Sequence, residues 1–184
     1  MGIIFLDIDG VINNRKSMMT QDKLRTLYTM DPDCVSRLDD LISGTGAKVV
    51  VSSSWRLSRS LDEIRKCLVK YGFKNEQSVV DTTPHRISEK KIVEEATGLP
   101  CYKIAGTIHR GWEILEWLKV HEVFESFVVL DDDRPWSDWP RTTSTPAPES
   151  LAEIVSRYVH VEHELGLMDH HVAAAKIHLN TPRT

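Results

Sequence analysis

Three short runs, Ile3-Ile4-Phe5-Leu6, Val49-Val50-Val51 and Phe127-Val128-Val129-Leu130, constrain this chain most, because each is apolar without alternation and each breaks abruptly into polar residues. A strand with one wet face alternates in polarity, whereas a strand covered on both faces does not. The runs therefore predict buried parallel strands. They end in Asp7-Ile8-Asp9-Gly10, Ser52-Ser53-Ser54 and Asp131-Asp132-Asp133, so acids and hydroxyls gather at the carboxyl edge where open parallel sheets bind ligands. Helical spacing fills the intervals. Residues 33–42 have a cap at Asp31 or Asp33 and a stop near Gly44; residues 60–71 are closed by Gly72; residues 87–96 are ended by Gly98 and Pro100; residues 112–120 start from Arg110-Gly111. Val79-Val80 and residues 158–161 read as further strands, residues 141–150 as a surface loop, and Gly166-Leu167 as the entry to a closing helix. Strands alternating with helices predict an α/β fold built on an open parallel sheet.

A length of 184 residues suits one domain over the whole chain. The formal charge of −4 offers no basic stripe of the kind that grips a duplex, so duplex-specific nucleic-acid binding is not expected, although a local basic rim can still hold a phosphorylated substrate. No apolar run approaches the roughly 20 residues of a membrane span, and the amino terminus runs directly into a strand; a cytoplasmic protein without a membrane partner is expected. Cys34, Cys67 and Cys101 are odd in number and widely spaced, which suggests free thiols rather than a disulfide framework or a zinc site.

The chemistry starts from Asp7 and Asp9. Acids at i and i+2 of an extended chain face the same way, so Asp7 can attack phosphorus while Asp9 reaches the leaving oxygen. A carboxylate approaching a phosphate meets like charge, which calls for a divalent cation with oxygen ligands, magnesium by preference. Asp7, Asp9 through its backbone carbonyl, and Asp131 or Asp132 are the expected ligands. Ser52 is placed to donate its hydroxyl and N–H to phosphoryl oxygens. Arg110 is the favoured neutralising cation because its position, just ahead of the helix that feeds the third strand, brings it back to that edge; Lys103 and Lys119 are weaker candidates.

These residues resemble the motifs of the haloacid dehalogenase superfamily. Phe5-Leu6-Asp7-Ile8-Asp9-Gly10-Val11 is similar to its first motif, Val49-Val50-Val51-Ser52 to its second, Arg110 to its third and Leu130-Asp131-Asp132 to the D-D form of its fourth, in the correct order from residue 3 to about 135. The resemblance implies a Rossmann-like, doubly wound parallel sheet and a magnesium-dependent phosphomonoester hydrolase that passes through an aspartyl-phosphate on Asp7. Dehalogenase members lack the second acid, so Asp9 favours a phosphate ester. Ser52-Ser53-Ser54-Trp55-Arg56 resembles the S-S-x-W-R signature of phosphatase domains in multi-part RNA-repair proteins, and Asp132-Asp133-Arg134-Pro135 resembles a stretch of 5′-deoxynucleotidases. Both imply a nucleotide or polynucleotide end as the partner, with Gly10, Ser53 and Arg56 contributing to substrate binding. The segments between motifs are modest in length, so little or no cap domain is expected over the site.

Plainer assignments compete with several of these. A sugar phosphatase or phosphotransferase would use the same chemistry on a phosphorylated small molecule, and a non-catalytic binding protein could keep the fold. A surface arginine next to a buried indole would account for Trp55-Arg56. Trp136 and Trp139 suit either base stacking or loop packing. His160, His163, His170, His171 and His178 lack the spacing of a metal-binding helix and are expected to be solvated.

Overall fold

The computed structural model describes residues 1–19, 29–85, 87–93, 100–107, 110–121, 124–134 and 149–183. In chain order its strands and α-helices are β1 (Gly2–Leu6), α1 (Arg15–Met19), α2 (Pro32–Thr45), β2 (Lys48–Val51), α3 (Leu61–Lys70), β3 (Val79–Thr82), β4 (Ile87–Val93), β5 (Pro100–Thr107), α4 (Arg110–Val120), β6 (Ser126–Asp131), α5 (Ala152–Ser156), β7 (Tyr158–His160) and α6 (Asp169–Asn180). Five strands form an all-parallel sheet in the order β3-β2-β1-β6-β7. This is the Rossmann-like α/β architecture that the resemblance implies, on the parallel sheet expected from the uninterrupted apolar runs.

Period-two geometry shows how one run serves two cores. Ile4 and Leu6 of β1, Val49 and Val51 of β2, and Val128 and Leu130 of β6 join Leu38 and Leu41 of α2, Ile64 and Leu68 of α3, and Ala175 and Leu179 of α6. Ile3, Phe5, Val50, Phe127 and Val129 meet Ile114, Trp117 and Leu118 of α4 and Ile154 of α5 in the second cluster. Phe5 packs edge-on against both Trp117 and Phe127, with ring centroids 5.3 and 5.8 Å away.

Local signals set the helix ends. Asp31 caps α2 by accepting from the Asp33 N–H, and Gly46, at φ 67°, closes it; the stop is two residues beyond Gly44, which lies within the helix. Ser60 and Glu63 form a reciprocal capping box on α3. Cys34 and Cys67 are free thiols, and burial, aided by Asp31, pushes the Cys34 thiol up to about 11. Among the described residues no helix is long and apolar enough to cross a membrane.

One expected element is corrected. Residues 87–93 form β4 rather than the start of a helix, and they pair antiparallel with β5, from Ile87 opposite Thr107 to Val93 opposite Pro100. Ile87, Ile92 and Val93 are β-branched, and a partner strand that spacing alone does not reveal decides between the two conformations. This hairpin separates β3 from α4. The remainder of the expected helix, residues 94–99, lies outside the described residues, as do Trp136, Trp139 and most of the 141–150 loop.

Candidate active site

The parallel ladder continues one residue beyond the strands and aligns their polar ends. Asp7 N donates to Leu130 O at 3.0 Å, Ser52 N to Leu6 O at 2.9 Å, Thr83 N to Val51 O at 3.0 Å and Val161 N to Asp131 O at 3.0 Å. Asp7, Ser52, Thr83 and Asp131 are thus held at one edge of the sheet by backbone geometry. All four are buried.

Asp7 Oδ1 accepts from the Ile8 N–H at 2.8 Å, and Oδ2 accepts from Arg110 Nη1 at 2.6 Å. The same Arg110 nitrogen also donates to Asp131. Burial works against the charge of Arg110, but the adjoining carboxylates of Asp7 and Asp131 outweigh it and raise its pKa. Asp131 is raised well above the ordinary carboxylate range, by burial first, with Arg110 opposing and Asp7 adding to the rise. Burial and then Asp7 also raise Asp132.

One carboxylate oxygen from each of Asp7, Asp131 and Asp132 lies within 4.8 Å of the other two. Arg110 is shared by two of these acids, Asp7 and Asp131, and a divalent cation among the three would ease their crowding. A set made only of hard oxygen donors fits magnesium and other hard divalent cations.

Asp9 departs from the arrangement expected of an extended i, i+2 pair. The chain leaves β1 after Leu6 and wraps around Ile8, whose carbonyl accepts from the N–H groups of Val11, Ile12 and Asn13. The Asp9 carboxylate is consequently outside the acid trio: Oδ1 accepts from Asn13 Nδ2 at 2.7 Å and Trp55 Nε1 at 3.0 Å, and Oδ2 from Ser54 Oγ at 3.4 Å. Asn13 Oδ1 in turn accepts from the Gly10 N–H at 2.9 Å. Asn13 is a site residue that the sequence did not single out, its available signal being an Asn four residues after an acid, whereas Trp55 belongs to the S-S-x-W-R signature and its indole N–H reaches Asp9.

Gly10 has φ 76°, and a Cβ there would stand 2.4 Å from Asp132 Oδ2 and 2.7 Å from His163 Nδ1. Gly10→Ala should cost about 1–3 kcal/mol in backbone strain and displace Asp132, so a lowered melting temperature together with weakened metal dependence is the expected result.

Among the described residues the buried hydroxyl of Ser52 has no hydrogen-bond partner, a costly state that an incoming acceptor would relieve. Ser53 Oγ instead caps the following 3-10 turn, accepting from Trp55 N at 3.4 Å. Arg56 is not the surface residue suggested by the plainer assignment, nor is it open toward a substrate. Its side chain is 6% exposed and pairs with Glu113, which is 5% exposed. Its other donors reach Thr83 O at 3.1 Å, Ser52 O at 2.9 Å and Ser53 O at 2.6 Å. The role of Arg56 is to clamp the Ser52-Ser53 turn against α4.

Of the alternative cations, Lys119 is exposed on α4, and the side chain of Lys103 lies outside the described residues. Two histidines are not simply solvated. His163 meets Asp132, and His171 is buried with Nδ1 accepting from Met168 N at 3.0 Å and Nε2 lying 2.8 Å from Glu162. With His170, these residues form a second group close enough to surround an ion. The bond from Met168 keeps the lone pair of neutral His171 on Nδ1 and a proton on Nε2, however, so the nitrogen facing Glu162 is a donor and not a ligand.

A parallel sheet whose central strand ends in Asp7, with Arg110 and the Asp131-Asp132 pair beside it, defines a domain of the haloacid dehalogenase (HAD) type. Residues 3–172 match the family model described as the HAD domain in Swiss Army Knife RNA repair proteins, and the chain belongs to that family. Its chemistry is that of a phosphatase-type hydrolase. No curated protein and no solved structure matches the chain.

Proposed function

We propose that the chain is a magnesium-dependent phosphomonoesterase acting through an aspartyl-phosphate on Asp7, with a nucleotide or polynucleotide end as its substrate. The observation that carries this reading is the meeting of Asp7, Arg110, Asp131 and Asp132 at one sheet edge. Asp7 forms a bond to phosphorus as the ester oxygen leaves, and Asp9 supplies the proton that the departing alkoxide takes up. Asp9 then removes a proton from water, which breaks the Asp7–phosphorus bond and frees inorganic phosphate. The buried Ser52 hydroxyl donates to a phosphoryl oxygen, and Arg110 holds Asp7 in place. Asp7, Asp131 and Asp132 would hold magnesium, which supplies positive charge against the repulsion between carboxylate and phosphate. Asn13 and Trp55 orient Asp9. The substrate class is supported by the family's occurrence in RNA repair proteins.

The test is a panel of an aryl phosphate, 3′- and 5′-nucleotides, oligonucleotides phosphorylated at either end, and sugar phosphates, each with magnesium and with chelator. Hydrolysis that needs magnesium and is fastest on a nucleotide or an oligonucleotide end is expected. Silence across the panel would remove the enzymatic reading; preference for sugar phosphates would replace the substrate.

A further inference from the structure

Asp132 has a partner that neither the family motifs nor sequence spacing indicate. His163 Nδ1 lies 2.9 Å from Asp132 Oδ2, and the Asp132 side chain is only 7% exposed while that of His163 is 46% exposed. We propose that His163 is a positioning residue of the metal centre, holding the Asp132 carboxylate in the orientation from which it meets a divalent cation shared with Asp7 and Asp131. This rests on the reading of that acid trio as a magnesium site.

The contact is fixed from both sides. Upstream, Val161 N is tied to Asp131 O. Downstream, Leu165 N and Gly166 N both donate to Glu162 O at 2.9 Å, Leu167 N donates to Val11 O at 2.8 Å, and Asn14 Nδ2 donates to Leu165 O at 3.0 Å. Gly166 has φ 70°, and a Cβ there would be 2.8 Å from Cys34 Sγ and 3.1 Å from Val11 O. The backbone on either side of His163 is thereby pinned to Asp131 and to the loop that follows Asp7. Gly10 completes the seat, since the space of its absent Cβ is taken by Asp132 Oδ2 and His163 Nδ1. With His163 on Oδ2, rotation of the carboxylate about its own axis is restrained, which lessens the ordering that a cation must otherwise impose. Hydrogen-bond partners of metal-binding carboxylates typically change metal affinity by 10–100-fold.

The experiment uses magnesium alone, without substrate, and reads the rise in thermal unfolding midpoint across a magnesium titration. His163→Ala should shift the half-saturating magnesium concentration upward about 10-fold. His163→Asn, whose side-chain amide reaches about as far as Nδ1 and also donates, should stay within about 3-fold of the native chain. The midpoints without magnesium report folding separately. If the native chain responds to magnesium and His163→Ala responds identically, or if the Asn variant is as weak as the Ala variant, the positioning role is wrong and the magnesium site stands. If the native chain shows no response, the metal reading falls and the inference falls with it.

Discussion

Asp7→Asn should reduce turnover of an aryl phosphate in magnesium by about 10⁴-fold or more, the scale on which loss of a nucleophile is felt. Asparagine keeps the shape and an oxygen able to accept the Ile8 N–H, but its amide does not form an acyl-phosphate. The fold should persist. In the native chain Asp7 and Asp131 share one arginine with Asp132 close by, so replacing Asp7 eases crowding among the acids as well as weakening the contact with Arg110. Turnover and thermal melting measured on the same preparation check both halves. A residual rate within 10-fold of native would mean that phosphorus is attacked by something other than Asp7.

The second large effect concerns stability. Arg56→Ala should cost about 3–5 kcal/mol, the usual penalty for leaving one member of a buried ion pair behind, which for a chain of this size lowers the melting temperature by roughly 6–20 °C. Glu113 would remain buried, with His85 Nδ1 at 3.4 Å as a neighbouring cation only when protonated, and three carbonyls would each lose a guanidinium donor. Burial, with Arg110 nearby, lowers the Arg56 pKa despite Glu113 beside it, and a buried pair of this kind is often replaceable by apolar side chains at little cost. Replacing both partners with apolar residues, Arg56→Met with Glu113→Leu, should therefore recover much of the loss. Activity should not recover in parallel, because Arg56 also fixes Ser52 and Glu113 sits one turn after Arg110 on α4. Denaturant unfolding of the two single variants and the double variant gives the coupling directly. A single Arg56→Ala change that melts within 2 °C of native would show that the clamp is dispensable.

The strands that carry the site were legible because burial on both faces leaves its mark on every residue of a run, and β1, β2 and β6 needed no distant information. Arg110 was legible for a topological reason: a helix that feeds a parallel strand starts at the carboxyl edge, and Arg110 stands at the start of α4. What escaped notice depends on partners far apart in sequence. The β4–β5 hairpin is decided by its mate, the Arg56–Glu113 pair spans 57 positions and the Asp132–His163 contact spans 31. Local periodicity has no access to such pairs, and a histidine after a strand looks the same whether it faces water or an aspartate. The turn around Ile8 was hidden for another reason, since Asp9 was assigned strand geometry that ends at Leu6.

The place of β1 in the sheet has a consequence during synthesis. Its neighbours are β2, made soon after it, and β6, made some 120 residues later. A nascent chain that has emerged only through β3 carries a very apolar strand with one unpaired flank on show, the kind of edge that invites association with other chains. Until Ser126–Asp131 is made, the strand that leads into Asp7 keeps that flank unpaired, and its closure by β6 ends the exposure.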